Sequence, residues 1–322
     1  MKILITGGTG FQGSNLSKSL LEDGHDVVIL NLHSRKNEIN VERFGLDKAK
    51  IIWGTINDKH TVRDSIFGCD LVIHTAAKIH VDDSIENPTD HFYTNVMGTN
   101  NILEAAREFK VPVIHVSTCE VYGYQDEDLK ENSPLMPRSP YAASKAGADR
   151  MAYSYYTTYD MNICIVRPFN VYGPGQKDGK CGAVIPIWAT GLGREESINI
   201  YGDGNQSREF IYIDDLVSAY KIIIDKMTNS NDLAGEVINV GTGVDVKINY
   251  LAEKMVEIFE RGEVNYDKPR PGEVKRFISN SDKMKSFGWE PKVGLDEGLK
   301  KYIDWRKTMN DLDFYKNIMM VM

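Results

Sequence analysis

Long apolar runs are missing from this chain. None reaches the roughly 18 residues a membrane-spanning helix needs. A basic excess is missing too. Lys and Arg total 38 against 46 Asp and Glu, for a net charge of -8, and no basic run interleaves with aromatics. That balance argues against a nucleic-acid groove. Cysteine is scarce: Cys69, Cys119, Cys164 and Cys181 form no CxxC pair and have no His at zinc spacing. The pattern offers no disulfide framework and no metal site, and it suits a reducing cytoplasm. The stretch from Met1 to Gly10 enters a strand and a glycine turn directly, without the charged and apolar regions of a signal peptide. Repeats, low-complexity tracts and long linkers are lacking. What remains is 322 residues with 42% hydrophobic content, enough for one large domain or two intimate ones.

Strand and helix signals alternate from the first residue. Lys2 to Thr6 is an apolar, β-branched run, followed by Gly7-Gly8-Thr9-Gly10-Phe11-Gln12-Gly13 and a helical pattern over Asn15 to Leu21. A strand, a glycine turn and a helix make the unit that binds a dinucleotide pyrophosphate. Its glycines let backbone N–H groups approach the phosphates, and the helix N-terminus adds partial positive charge. Gly7, Gly10 and Gly13 are therefore cofactor candidates. The next strand, Asp26 to Asn31, ends where an acid usually takes the adenine ribose diol. Here that position is the uncharged Asn31, with Arg35 and Lys36 just beyond. NAD is the expected cofactor; the two cations leave NADP open. Strand Lys50 to Trp53 leads to Asp58, placed to meet the adenine amine. Strand Leu71 to His74 runs into the small residues Thr75-Ala76-Ala77, which suit a strand end passing close to a cofactor. A helix is expected from about Asp90 to Phe109, then strands Val111 to Ser117, Ile163 to Arg167 and Glu236 to Val240. Such alternation predicts an α/β fold, a doubly wound parallel sheet with helices on both faces. From Pro168 the alternation breaks into a glycine-rich, loop-rich region, so a smaller, discontinuous substrate-binding domain is expected. The boundaries read as 1–168 plus about 214–242 for the cofactor domain, and about 169–213 plus 243–322 for the second.

The chemistry concentrates in Ser117-Thr118-Cys119-Glu120-Val121-Tyr122-Gly123 and Tyr141-Ala142-Ala143-Ser144-Lys145. Ser139-Pro140 opens a helix, as a polar cap followed by a proline at the first helical position. Tyr141 and Lys145 then share one face. A cation beside a phenol favours phenolate and lowers its pKa from about 10 toward working pH, which makes Tyr141 a candidate base toward an alcohol. Thr118, at the end of an apolar strand, supplies a hydroxyl to align the transfer.

These motifs resemble the extended short-chain dehydrogenase/reductase family, the NAD-dependent nucleotide-sugar epimerases and dehydratases with a Rossmann-type fold. The matching segments are TGGTGFQGSNL (6–16), HTAAKIHVDDSIENP (74–88), NVMGTNNILEAA (95–106), STCEVYG (117–123), SPYAASKAGAD (139–149), RPFNVYGPGQ (167–176), GDGNQSREFIYIDD (202–215) and RPGEV (270–274). The resemblance implies that Thr118, Tyr141 and Lys145 form a catalytic triad, with Lys145 also holding the nicotinamide ribose. It places Phe11, Gln12, Ala76, Ala77 and Pro168 along the cofactor with the residues named above. His80, Ser84, Asn170, Val184, Tyr201, Arg208, Arg270 and Glu273 are its substrate-binding candidates. A planar guanidinium such as Arg208 suits a pyrophosphate. The resemblance also implies a homodimer, formed by pairing helices that begin near residues 90 and 140.

The two residues after Thr118 bear on the fate of the sugar once its C4 is oxidised. Simple 4-epimerases usually carry small or non-ionisable residues there, whereas 4,6-dehydratases carry Asp-Glu or Ser-Glu. Here they are Cys119 and Glu120. Oxidation at C4 acidifies the C5 proton, which Glu120 is placed to take; Cys119, a thiol with pKa of about 8.5, can protonate the leaving C6 hydroxyl. STCEVYG with SPLMPRSPYAASK (133–145) is similar to the UDP-N-acetylglucosamine 5,6-dehydratases of tunicamycin biosynthesis, so a UDP-sugar is the favoured substrate. A 4-epimerase, a UDP-glucuronate decarboxylase using Arg138 or Lys78 as its carboxylate cation, and an idle NAD-binding regulator remain open alternatives.

Overall fold

The structure, a computed structural model, describes residues 1–177, 182–230, 232–269 and 276–309. Its main sheet has seven parallel strands: β1 (Lys2–Thr6), β2 (Asp26–Asn31), β3 (Lys50–Trp53), β4 (Leu71–His74), β5 (Val113–Val116), β6 (Ile163–Pro168) and β7 (Val237–Val240), in the order β7-β6-β5-β4-β1-β2-β3. Parallel strands covered on both faces read as unbroken apolar runs, and β1 and β4 do so. Ile3, Ile5, Ile29 and Ile73 point to one face, where Leu16 and Leu20 of helix Phe11–Glu22 and Leu216 and Ile223 of helix Ile213–Asn229 cover them. Leu4, Val28 and Val72 point to the other, beneath Val62, Ile102 and Ala152. Chain direction across the sheet reverses between β1 and β4. In such sheets ligands bind outside the carboxyl ends of the strands at this point.

The first core continues into Trp289, Leu299 and Tyr302, so the C-terminal helices Asp282–Ser286 and Leu295–Lys307 share apolar packing with the sheet. Three short strand pairs lie beyond β6: Val171–Tyr172 with Ile211–Tyr212, Ser207–Arg208 with Val246–Lys247, and Ile198–Tyr201 with Val264–Asp267. Among the described residues no helix is long and apolar enough to cross a membrane.

The expected helix over 90–109 is present as three contiguous pieces, Pro88–Phe92, a π-helical turn Tyr93–Met97 and Gly98–Phe109, preceded by a separate short helix, Val81–Glu86. Pro88 forces a new start, and Asn95 accounts for the wide turn. Buried there, Asn95 accepts from the Lys78 N–H and donates to Lys78 O and to Ser144 Oγ, so it ties the segment after β4 to helix Pro140–Tyr159. The same helix is pinned to β6 by a buried ion pair. Arg167 Nε and Nη2 donate to the two Asp149 carboxylate oxygens at 2.8 and 2.9 Å. Arg167 Nη1 also donates to Tyr122 Oη at 2.8 Å, and Tyr122 donates to Asn239 Oδ1 on β7. Helix, strand and the turn bearing Tyr122 are thus held in one register by satisfied polar groups, and removing one charge would strand the other in the core.

Candidate active site

The glycine turn sits at the carboxyl end of β1. Gly7 has φ +72°, and a Cβ there would lie 3.0 Å from the backbone of Ala76. A Cβ on Gly13 would collide with Gly7 O and lie 2.7 Å from Gly8 Cα. The turn and helix Phe11–Glu22 therefore touch backbone to backbone. Gly10 caps that helix without a side-chain hydrogen bond, so its first N–H groups remain available to a ligand's phosphates. This cradle fits a dinucleotide. Ala76 and Ala77 follow β4, with Ala76 N–H donating to Thr6 Oγ1, and Pro168 closes β6. Asn31 ends β2 and accepts from the Thr9 N–H at 3.3 Å. Phe11 packs on the core, and Gln12 Oε1 accepts from Tyr220 Oη. Two other candidates are engaged locally. Arg35 pairs with Glu38 on an exposed helix turn, and Asp58 caps helix Lys59–Ile66 by accepting from His60 N–H and Thr61 Oγ1.

Thr118 caps the 3₁₀ turn Cys119–Tyr122, its Oγ1 accepting from Glu120 N–H. Ser139 caps helix Pro140–Tyr159 with Pro140 at its first position, and Tyr141 hydrogen-bonds Thr118. The expected lowering of the Tyr141 pKa is not seen in this structure. Burial pushes the phenol well above its ordinary value, and the charge of Glu120 adds to the rise. Lys145 explains the difference: its Nζ donates to Val116 O at 2.7 Å, on the strand leading to the site. Burial brings the Lys145 ammonium down to about 8, against the pull of Asp149.

Cys119 is buried with Tyr122, Phe169 and Phe277, and burial followed by the Glu120 charge holds its thiol well above the usual range. It stays protonated at neutral pH. Glu120 opens to solvent at the mouth of a narrow cleft but is enclosed on its other sides. That enclosure raises its carboxyl pKa, and Arg208 opposes the rise. The cleft, about 130 Å³, is lined by Glu120, Gly123, Arg138, Asn170, Arg208 and Phe277. Asn170 is held by Nδ2 donating to Glu209 O, and Arg208 lies in the short strand Ser207–Arg208. A base and a guanidinium thus meet where a polar, anionic ligand can enter, with the Cys119 thiol buried next to Glu120 in the chain.

Other substrate candidates lie apart from this cleft. His80 precedes helix Val81–Glu86 and contacts Lys177 Nζ, whereas Ser84 is buried with its hydroxyl turned onto Val81 O. Val184 opens helix Val184–Gly193, and Tyr201 ends strand Ile198–Tyr201. Arg270 and Glu273 lie outside the described residues. Sequence reasoning missed Gly123 and Phe277 as lining residues. Gly123 had a signal, the glycine closing STCEVYG; Phe277 had none. Of the two cations considered for a sugar carboxylate, Lys78 pairs with Asp90 and Arg138 lines the cleft.

A family model described as GDP-mannose 4,6 dehydratase matches residues 4–302. The chain is 36% identical to a putative UDP-glucose 4-epimerase of Methanocaldococcus jannaschii, over 96% of this chain and 99% of that protein. It is also 36% identical to the dTDP-D-glucose 4,6-dehydratase of Mus musculus, over 96% and 90%. Among solved structures, it is similar to DesIV, a dTDP-glucose 4,6-dehydratase from Streptomyces venezuelae with NAD and TYD bound. The TM-score is 0.88 at 31% identity, covering 97% of this chain and 98% of that one.

Proposed function

Since the chain belongs to the nucleotide-sugar epimerase/dehydratase family of extended short-chain dehydrogenases/reductases, we propose that it is an NAD-dependent nucleotide-sugar dehydratase. The observation that carries this reading is Glu120 at the cleft, two residues after Thr118 and next to the buried, protonated thiol of Cys119. A plain epimerase needs no second base and acid there.

Gly7, Gly10, Gly13, Asn31, Ala76 and Pro168 would hold NAD along the carboxyl edge of the sheet, with residues 1–168 and about 214–242 forming its domain. Bound there, NAD would supply a reversible hydride acceptor. Tyr141, aligned by Thr118, takes the proton from the C4 hydroxyl, and Lys145 would hold the nicotinamide ribose. Glu120 takes the C5 proton, Cys119 gives its proton to the departing C6 hydroxyl, and water leaves. Asn170 and Arg208 take the diphosphate in the second domain, about 169–213 with 243–322. UDP-N-acetylglucosamine is our first candidate substrate, and the protein acts in the cytoplasm as a homodimer.

The test is turnover of UDP-N-acetylglucosamine and dTDP-glucose in deuterated water, read by mass spectrometry and proton NMR. Loss of water is expected. The product is either a 5,6-ene or a 4-keto-6-deoxy sugar with deuterium at C5. In Glu120→Gln the rate should fall about 10²- to 10⁴-fold while NAD content is unchanged. An unchanged mass with C4 inverted would overturn the roles of Glu120 and Cys119.

A further inference from the structure

One side chain of the cleft is not absorbed by that mechanism. Arg138 lines the cavity with Glu120, Asn170 and Arg208, yet no hydrogen bond or ion pair engages its guanidinium among the described residues. Arg208 differs: it donates to Ser207 O and is the cation that opposes the rise in the Glu120 pKa.

The backbone around Arg138 is fixed. Gly123 has φ +61°, and a Cβ there would collide with Met136 O, so the chain around Met136 is pressed onto the end of the turn bearing Glu120. Gln125 Nε2 donates to Pro134 O at 2.8 Å and ties the loop back a second time. Pro137 and Pro140 bracket the position, and Ser139 accepts from Ala142 N–H at 3.1 Å. Arg138 is therefore a cation on a rigid mount, three residues ahead of Tyr141. An idle surface arginine needs no such mount.

We infer that Arg138 is a specificity-determining residue that donates to an oxygen acceptor on the sugar of the bound nucleotide sugar, and not to its diphosphate. The inference rests on the nucleotide-sugar reading above. Position decides between the two ends of the ligand. Arg138 shares its stretch of chain with Tyr141, two residues after the Met136 carbonyl that presses on Gly123 at the end of the turn of Glu120, where the reacting ring must lie. The planar fork presents several N–H donors in fixed geometry, so it can read the placement of a hydroxyl, amide or carboxylate oxygen. Arg208 and Asn170, on a different segment, remain for the phosphates.

The experiment is calorimetric titration of the NAD-loaded protein with UDP-N-acetylglucosamine and, separately, with UDP. Wild type is compared with Arg138→Met and Arg138→Lys, with melting temperature and NAD content measured alongside. For Arg138→Met, affinity for the nucleotide sugar should fall about 10- to 100-fold, in keeping with a lost charged hydrogen bond. Affinity for UDP should hold within about twofold. Arg138→Lys should recover part of the loss, since it keeps the charge without the fork. An equal loss for UDP would overturn the inference by assigning Arg138 to the diphosphate; no loss for either ligand would reduce it to a solvated charge. Wild-type protein that binds neither ligand, with dTDP and dTDP-glucose also failing, would sink the functional reading and this inference together. Wild-type binding with an indifferent Arg138→Met sinks the inference alone.

Discussion

Glu209 shows at the scale of one residue how the cleft is kept in shape. It follows Arg208, and its backbone carbonyl holds Asn170 in place. Its fully buried carboxylate accepts from Ser279 N–H at 2.6 Å and Ser279 Oγ at 2.9 Å, with Gly243 and Thr242 N–H groups adding to the anion's support. Burial outweighs these hydrogen bonds and pushes the carboxyl from 4.5 up to about 7. Between those values the folded protein binds the proton more tightly than the unfolded chain does. This group's contribution is therefore complete below about pH 4.5 and is lost as pH rises through about 7, a swing on the order of 3 kcal/mol. Glu209→Gln cannot titrate. Its melting temperature, whatever its absolute value, should lack the part of the decline between pH 5 and pH 8 that wild type owes to Glu209. Parallel pH profiles of the two proteins would show that Glu209 carries no such linkage.

At the scale of the element, the glycine turn sets the most exacting demand. Ala at position 13 would drive its Cβ into Gly7 O, and the obstacle is backbone, not a side chain that can swing away. Gly13→Ala should push helix Phe11–Glu22 off the turn. We expect at least a tenfold loss in NAD affinity by fluorescence titration, with a lower melting temperature. Unchanged affinity would mean that the turn is not the phosphate cradle. This element was legible because its constraint is local: strand, glycines and helix are consecutive in the chain. Strands β2 and β4 were legible for a related reason, since buried parallel strands are apolar almost throughout and end in turn residues. The π turn inside the helix expected over 90–109 was not, because at Asn95 it answers to Ser144 and Lys78, neither adjacent to it in sequence. The phenol of Tyr141 misled in the same way. Spacing puts Lys145 on its face, but only the packed strand reveals that the ammonium is drawn to Val116 O. The remaining wall of the cleft, Phe277, comes from far along the chain and carries no motif.

At the scale of the whole molecule the question is what covers the outer side of the catalytic helix. Helix Pro140–Tyr159 packs beside Pro88–Phe92 and the π turn Tyr93–Met97. Their outer surfaces leave Phe92 43%, Tyr93 56%, Met97 48% and Tyr153 39% exposed. Large apolar side chains grouped on adjoining helices mark a contact surface, and a two-fold axis would let the same patch serve both subunits. Helix Pro140–Tyr159, which contributes Tyr153 to this patch, also carries Tyr141 and Lys145. Dimerisation would thus buttress the catalytic pair from behind while leaving the cleft open. Wild-type protein at micromolar concentration should sediment as a dimer, with a melting temperature that rises with concentration. Tyr93→Asp with Met97→Asp places two charges in the patch and leaves the glycine turn untouched. The double variant should sediment as a monomer, keep its NAD and lose the concentration dependence of its melting temperature. A wild-type monomer would remove this surface from the account and leave its apolar residues to another partner. A double variant that remains dimeric would place the subunit contact elsewhere on the molecule.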